Sequence, residues 1–280
     1  KRIYKVLCVK ADPIINHHRV GKTPLMPAVG FMEMGAQAHS LLFGKNGQYC
    51  FKNLKFNNAL KLFNEKPQEV VLKPVKYSDG FIKATFYNYF KPKIGEGRLI
   101  ELNSMDVSPM IGDYEYLNKL KEIETADMVE IPFKYSLEQL SKRLPNAINL
   151  GPLFMDEKAA KINMFKYNDR GVVLLIALSE EQINNKKYNI DNMLINPAFA
   201  DSIMQCCGIH SSYNTDGLYL PWQVDEFGIV NPPKKSGKYK AYAKKIGGND
   251  SEKSYDVILY DEKGEVCYYA KKVTVKKIAQ

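Results

Sequence analysis

Cysteine is scarce in this sequence and never occurs at the spacing of a metal site. The five cysteines are Cys8, Cys50, Cys206, Cys207 and Cys267, an odd number with no Cys-x-x-Cys pair among them. This pattern excludes a disulfide framework or a zinc ribbon as the basis of the fold. We therefore expect a reducing, cytoplasmic setting.

Long apolar runs are also missing. The longest, Val172–Leu178, has seven residues, whereas a membrane-spanning helix needs about 20. No basic segment followed by an apolar stretch opens the chain, so we expect neither a signal peptide nor a membrane partner. Because the first residue is Lys1 rather than methionine, we expect a segment of a longer chain.

Acidic residues are outnumbered, with 31 Asp and Glu against 40 Lys and Arg and a net charge of +9. The lysines are scattered and no nucleic-acid motif accompanies them, so we expect a solvated basic surface and no nucleic-acid partner. Such a surface also suits an acidic protein partner.

The 280 residues are 45% hydrophobic, enough for one large domain or two small ones without disulfides.

Most of the chain has the composition of β-strands. Segments rich in Val, Ile, Tyr, Phe and Lys are bounded by Gly, Pro, Asn or Asp, and several are separated by hairpin signals such as Asp79-Gly80. The predicted strands are 1–10, 50–63, 69–75, 81–90, 161–168, 171–178, 218–230, 237–245, 254–260 and 265–278.

Two long helices interrupt the strands in similar surroundings. The first is predicted at 28–43 and the second at 198–212. The first starts in the stretch PAVGFMEM, which begins at Pro27, and the second in the stretch PAFADSIM, which begins at Pro197. A long helix with strands on either side, used twice, indicates an α+β fold of two similar units.

A charged connection separates the two predicted units. Residues 113–148 are predicted to hold two helices, at 114–122 and 136–143. We therefore expect an N-terminal unit at 1–125, a connecting segment at 126–148 and a C-terminal unit at 149–280.

The approach to the first helix is the most informative stretch. His17 and His18 are followed by a loop in which Pro24 and Pro27 restrict the backbone. A rigid loop that leads into a helix N-terminus supplies free N–H groups and the positive end of a dipole. Such a site suits a carbonyl oxygen that gains negative charge, as in acyl-thioester chemistry.

This stretch resembles the catalytic histidine motif of polyketide synthase dehydratase domains. The family pattern is His, three residues, Gly, four residues, Pro. Counting back from Pro27 selects His18 and leaves His17 as a solvated or structural residue. Lys22 then stands where the family has glycine, with Gly21 one position earlier.

Three further stretches match the family in the same order. Asn196-Pro197-Ala-Phe-Ala-Asp201-Ser-Ile-Met-Gln205 resembles the aspartate motif of the second half. Leu150-Gly151-Pro152-Leu153-Phe154 resembles the Tyr-Gly-Pro-x-Phe motif, with leucine in place of tyrosine. Leu220-Pro221-Trp222 resembles the Leu-Pro-aromatic stretch after the second helix. The resemblance spans about 13 to 275.

The resemblance implies a double-hotdog fold, in which two tandem units each wrap an antiparallel sheet around a long helix. It also implies dehydration of a β-hydroxyacyl thioester held on an acyl carrier protein, by syn elimination without metal or organic cofactor. The expected partners are the carrier protein and other domains of a polyketide or polyunsaturated fatty acid synthase. A homodimer is a further expectation.

The chemistry assigns roles to three side chains. Loss of water needs a base for the α-proton, and histidine titrates near neutral pH, which suits His18. Asp201 is expected to protonate the departing hydroxyl if an apolar tunnel disfavours its charged form, although a place in the first helical turn favours the anion. Gln205, one turn later on the same face, is expected to orient the acid or the substrate hydroxyl.

Further residues are expected to contact the substrate or to be structural. The expected substrate-binding residues are Pro27, Val29, Gly30, Leu150, Gly151, Pro152 and Pro221. The other two histidines, His39 and His210, lie late in their helices and are predicted to be packed or exposed rather than catalytic.

Two alternatives remain. An isomerase-type or cyclising double-hotdog domain keeps the histidine, but the double-bond shifters of the family tend to lose the aspartate that Asp201 matches. A non-catalytic module would keep the fold only to hold carrier proteins or neighbours, and the departures at Lys22 and Leu150 lend this some support.

Overall fold

In this computed structural model the described residues are 2–44, 47–90, 94–109, 116, 127–131, 148–151, 153–154, 162–180, 193–213, 215, 217–233 and 236–278. They form a short N-terminal helix, two long helices and fifteen strands. The helices are α1 (Pro13–Asn16), α2 (Ala28–Phe43) and α3 (Pro197–Tyr213), and a 3-10 turn occupies Phe63–Glu65.

The strands are numbered in chain order. In the first part of the chain they are β1 (Ile3–Leu7), β2 (His18–Val20), β3 (Thr23–Pro24), β4 (Tyr49–Phe56), β5 (Gln68–Lys76), β6 (Ile82–Phe90), β7 (Arg98–Pro109), β8 (Val129–Ile131) and β9 (Ile148–Leu150). In the second part they are β10 (Ile162–Asn168), β11 (Gly171–Leu178), β12 (Leu218–Ile229), β13 (Gly237–Gly248), β14 (Glu252–Asp261) and β15 (Val266–Ile278).

Twelve of these strands form one continuous sheet in the order β1-β5-β6-β7-β4-β12-β15-β14-β13-β11-β10-β8. The first five come from residues 3–109 and the other seven from 129–278. The two sets meet where β4 pairs antiparallel with β12, with Phe51 opposite Phe227. A separate small sheet has the order β3-β2-β9. The α+β prediction is therefore confirmed.

Each set of strands wraps one long helix. The α2 helix contacts β4, β6 and β7, whereas α3 contacts strands β11 to β15. Gly35 of α2 lies so near β7 that an added Cβ would meet Met105 and Val107 at 3.2–3.3 Å, so a small residue is needed for close packing. In the described part of the chain, no helix is both long and apolar enough to span a membrane.

The helix ends follow from their sequences. Pro27 precedes α2 in an extended conformation, and Gly44 ends it with a φ of 91°, a value that favours glycine. At α3 the Asn196 side chain accepts a hydrogen bond from the Phe199 backbone N–H at 3.0 Å, which makes Asn196 the N-cap. Both long helices therefore begin within one residue of the predicted positions.

Several sequence predictions need correction. The strand predicted at 50–63 ends at Phe56, and the long strand β7 was not predicted at all. The short strand β8 lies inside the predicted connecting segment and pairs with β10 at the sheet edge. The helices predicted at 114–122 and 136–143 fall, apart from Tyr116, outside the described residues. The unit boundaries stay a prediction.

A charged network covers the outer face of the junction between the two sets of strands. Tyr269 donates a hydrogen bond to Glu226 at 2.6 Å, and Lys52 and Lys271 lie 3.4 and 3.3 Å from the same carboxylate. Burial works to raise the pKa of Glu226, but the hydrogen bond from Tyr269 and the lysine charges outweigh it and lower the pKa. These contacts link β4, β12 and β15.

The buried carboxylate of Glu33 links the two long helices from inside. It accepts hydrogen bonds from the Leu194 N–H at 3.0 and 3.1 Å and from the Ile195 N–H at 2.9 Å. Gln37 donates a further one at 2.7 Å. Burial raises the pKa of Glu33, while these hydrogen bonds oppose the rise. An α2 side chain thereby fixes the segment that leads into α3.

We predict that Glu33→Ala destabilises the fold, because it leaves the N–H groups of Leu194 and Ile195 without their acceptor in a buried place. The expected loss in free energy of unfolding is roughly 2–4 kcal/mol, measured by urea denaturation. Glu96→Ala removes an exposed glutamate and is the matched control. Equal urea midpoints for the two variants would contradict this role of Glu33.

Candidate active site

A cavity of about 500 Å³ lies between the two long helices. Its wall is mostly apolar and comes from both halves of the chain. Residues of the first half include Leu25, Met26, Phe31, Phe56 and Leu102, and residues of the second half include Met204, Ile209, Tyr219, Leu220 and Trp222. A mostly apolar cavity with a few polar groups in its wall is typical of a site for a small or chain-like ligand.

His18 lines this cavity from strand β2. It is 5% exposed, and β2 is paired on both sides, with Arg19 opposite Pro24 of β3 and His18 opposite Leu150 of β9. The ring of Phe154 meets the imidazole edge-on, with 5.5 Å between centroids and a 70° interplanar angle. The histidine is therefore held by backbone pairing and by an aromatic neighbour.

The departure at Lys22 does not remove the turn that follows His18. Val20 pairs with Thr23, so Gly21 and Lys22 are the two turn residues, and the positive φ of 56° falls on Gly21. Glycine is the usual residue for a positive φ at the first turn position. The glycine therefore serves the loop one position earlier than the family pattern places it.

Arg19 fastens the same loop from outside. Its guanidinium donates to the backbone oxygens of Asn16 at 3.0 Å and Lys22 at 3.1 Å, and it forms an ion pair with Glu65 at 2.9 Å. The turn after His18 is thus tied to the chain before it and to the 3-10 turn.

His17 has a structural place that differs from that of His18. Its Nδ1 accepts a hydrogen bond from the Leu153 N–H at 3.2 Å, and its backbone oxygen accepts one from the Gly151 N–H at 2.8 Å. It is not among the described residues that line the cavity. His17 therefore holds the 150–154 segment, whose Leu150 and Phe154 flank His18.

Asp201 and Gln205 line the cavity from α3, in the other half of the chain. Asp201 is 7% exposed and accepts a hydrogen bond from the Gln205 amide nitrogen at Oδ2. The helix begins at Pro197, so Asp201 lies in the second turn and not in the first as expected.

The predicted substrate-binding residues divide into two groups. Pro27, Leu150 and Pro221 line the cavity. Val29 and Gly30 do not: Val29 is buried in the core, and an added Cβ at Gly30 would lie 2.3 Å from the Met26 side chain.

Gly151 also lies off the cavity wall, because it packs against the ring of His17. Pro152 is outside the described residues.

The remaining two histidines were predicted to be packed or exposed; both are buried and form hydrogen bonds. His39 Nε2 pairs with the Gly80 carbonyl at 2.9 Å. His210 lies between the Tyr255 hydroxyl and the Asn168 carbonyl, at 2.9 and 3.0 Å. Burial lowers the pKa of His210, which favours the neutral ring.

Sequence reasoning missed several residues of the site. Phe154 was quoted in a motif but given no role, although an aromatic residue four positions after Leu150 was a usable signal. Asn103 lines the cavity from β7 and could not be found because that strand was not predicted. Trp222, named above only as part of a motif, lines the cavity and is 43% exposed, with Lys276 Nζ 4.4 Å above its ring.

Comparisons with known families identify two matching models. One, described as the polyketide synthase dehydratase domain, matches residues 2–88. The other, described as the polyketide synthase dehydratase N-terminal domain, matches residues 160–280. Together they cover most of the chain. No curated protein matches it by sequence.

Solved structures similar to this chain include three dehydratase domains. The domain from the CurF module of curacin polyketide synthase has a TM-score of 0.73 and 17% identity, over 99% of this chain and 93% of its own. A trans-AT polyketide synthase dehydratase domain from Brevibacillus brevis has a TM-score of 0.73 and 16% identity, over 100% and 94%.

The third domain is the CurK dehydratase, with 14% identity in two inactive mutants. The mutant with aspartate replaced by asparagine has a TM-score of 0.72, over 100% of this chain and 94% of its own. The mutant with histidine replaced by phenylalanine has a TM-score of 0.70, over 99% and 92%. The predicted double-hotdog fold is confirmed by this likeness over the whole chain.

We predict that Gly151→Ala destabilises the protein. The new methyl group would lie 2.8 Å from Cγ of the His17 ring, so the ring and the 150–154 segment must move apart. The expected loss is about 1–3 kcal/mol in free energy of unfolding, measured in urea. Gly47→Ala, where an added Cβ meets nothing within 4 Å, is the control. Identical unfolding curves for both variants would rule out the tight contact.

Proposed function

We propose that this chain, which belongs to the polyketide synthase dehydratase family, removes water from a β-hydroxyacyl thioester on an acyl carrier protein. The product is an α,β-enoyl thioester, made during polyketide or polyunsaturated fatty acid synthesis. The observation that carries the proposal is the position of His18 and Asp201, which reach one apolar cavity from different halves of the chain.

His18 is the proposed general base. Its imidazole takes the proton from the α-carbon of the acyl group, and the electron pair of that C–H bond forms the new double bond. Backbone pairing on both edges of β2 and the edge contact with Phe154 limit the ways in which the ring can turn. A base held in place in this way loses little entropy when the substrate arrives.

Asp201 is the proposed general acid. Its carboxyl group protonates the β-hydroxyl, so that the C–O bond breaks and water departs. Gln205 binds Oδ2 of the carboxyl group, which leaves Oδ1 to carry the proton toward the substrate. Asp201 is buried and lies in the mostly apolar wall of the cavity.

Gln205 and the start of α2 complete the proposed site. In the described structure the Gln205 Oε1 atom is buried without a hydrogen-bond partner, so it can accept a hydrogen bond from the substrate hydroxyl. Pro27 and Ala28 line the cavity where α2 begins. The positive end of that helix dipole would stabilise the thioester oxygen as charge moves onto it.

Two further observations support dehydration over the alternatives. The inactive CurK mutants change one aspartate and one histidine, which are the residue types of Asp201 and His18. Despite the departures from the family motifs, Leu150 lines the cavity and the turn after His18 has its positive φ at Gly21.

The proposed reaction needs no metal or organic cofactor, because the two side chains supply the acid and the base. The net charge of +9 and the lysines Lys276 and Lys277 beside the cavity suit an acidic carrier protein. Contacts with other synthase domains, a homodimer and a cytoplasmic location stay predictions.

A panel of 3-hydroxyacyl pantetheine thioesters of different chain lengths tests the proposal. We expect at least one member to give a product that is lighter by one water, as measured by mass spectrometry. If every member is recovered unchanged, the dehydratase proposal is wrong for this chain.

The residue roles are tested on the substrate that reacts best in that panel. We expect His18→Phe and Asp201→Asn each to lower kcat by about 10²–10⁴-fold, the range for loss of a general acid or base. His39→Gln, which changes a histidine outside the cavity, serves as the control. His17→Ala is expected to retain turnover. If turnover is lost in His17→Ala but not in His18→Phe, the general base is His17 and not His18.

A further inference from the structure

Asn103 is an unusual residue in the cavity wall. It lies on β7 and is completely buried, yet neither its Nδ2 nor its Oδ1 has a hydrogen-bond partner among the described residues. Buried carboxamides are nearly always hydrogen-bonded, because leaving a polar group without a partner in an apolar place is energetically unfavourable. A bound ligand could supply the hydrogen-bond partners that Asn103 lacks.

The strand places the Asn103 side chain on the inner face of the sheet. Met105 and Val107 follow at intervals of two residues, and both lie beside Gly35 of α2. Side chains at this spacing share one face of a strand. Asn103 is also among the residues that line the cavity, so its side chain lies in the wall between the cavity and the core.

The neighbouring asparagines differ in this respect. Asn57 and Asn58 also line the cavity, but both are exposed and both amides are already used. Asn57 Nδ2 donates to the Glu101 side chain at 2.9 Å, and Asn58 Nδ2 donates to the Glu101 backbone oxygen at 2.8 Å. Of these three asparagines, only Asn103 is buried and has an Nδ2 that makes no hydrogen bond to the described residues.

We propose that Asn103 hydrogen-bonds to an oxygen substituent on the acyl chain, beyond the β-position that reacts. The inference rests on the proposed dehydratase function and adds a substrate class to it: chains that carry a further hydroxyl or carbonyl group. An amide that can both donate and accept would bind either group. The apolar surroundings from Phe31, Phe56 and Leu102 accommodate the hydrocarbon part of such a chain.

The acyl chain is a better partner for Asn103 than the pantetheine arm. Asn103 is fully buried in the N-terminal half, whereas Lys276 beside the cavity is half-exposed in the C-terminal half. The phosphate end of the arm belongs near such exposed cations, because the carrier protein must stay outside. The group that reaches the buried amide is then part of the acyl chain.

Matched substrates test the proposal directly. They are 3-hydroxydecanoyl pantetheine thioester and its counterparts with a second hydroxyl at C5, C7 or C9. We expect the wild type to prefer at least one counterpart by about 10-fold in kcat/KM, the worth of one hydrogen bond of about 1.4 kcal/mol. Asn103→Leu, similar in shape, should abolish that preference, while Asn88→Leu, which changes an asparagine outside the cavity, should retain it.

Three outcomes overturn the proposal. In the first, the wild type and Asn103→Leu show the same preference between 3-hydroxydecanoyl thioester and its dihydroxy counterparts. In the second, the wild type prefers none of the counterparts. Alternatively, Asn103→Leu slows all substrates equally but not their N-acetylcysteamine thioesters, which would assign the amide to the pantetheine arm. Asn103→Leu should melt at or above the wild-type temperature, because no protein hydrogen bond is lost.

A binding experiment separates this proposal from the proposed reaction. The same thioesters are titrated calorimetrically into His18→Phe and into His18→Phe with Asn103→Leu. We expect the 10-fold preference in Kd in the first protein and its loss in the second, whether or not the wild type turns the substrates over. If the wild type turns over none of the thioesters but His18→Phe still binds one counterpart more tightly, only the proposed dehydratase function is contradicted.

Discussion

The pairing of β4 with β12 is the interaction on which the site depends. It joins two antiparallel sheets into one and so brings two helices, each wrapped by its own strands, to opposite sides of a single cavity. Backbone hydrogen bonds fix the register of this pairing. A slip by one residue would turn every side chain of the strand to the other face, so the histidine and the aspartate depend on contacts far from either.

Several polar groups inside this fold have an identifiable structural role. Glu33 holds the approach to α3 by accepting backbone hydrogen bonds. His210 and Tyr255 satisfy each other in the core of the second half. The polar groups that face the cavity instead, on Gln205 and Asn103, retain atoms without partners among the described residues. In these examples the satisfied groups hold the framework, whereas the unsatisfied groups of Gln205 and Asn103 belong to residues of the cavity wall.

Much of the fold could be predicted from the sequence because its signals are local. Proline before each long helix and the alternation of apolar residues gave the helices and most strands. The β7 strand was missed because Asn103, Ser104, Asp106 and Ser108 have low strand propensity, and burial between β4 and β6 overrides it. The positions of these residues depend on neighbours distant in the chain.

Three polar residues of the candidate site could be predicted from the sequence, whereas most of its wall could not. Motif spacing selected His18, Asp201 and Gln205, which line one cavity. It failed at Val29 and Gly30, because residues next to each other on a helix point in directions about 100° apart. A motif therefore identifies a segment, and only packing shows which of its side chains reach the ligand.

The small sheet of β2, β3 and β9 has a consequence for how this chain can be divided. The strand that carries His18 pairs with Leu150, which follows the predicted end of the N-terminal unit by many residues. A fragment that stops at the predicted boundary would possess the base and its helix but lack the strand and the phenylalanine that hold the ring. The two halves are therefore not interchangeable modules, and a chain cut between them would have to reassemble before its histidine is correctly placed.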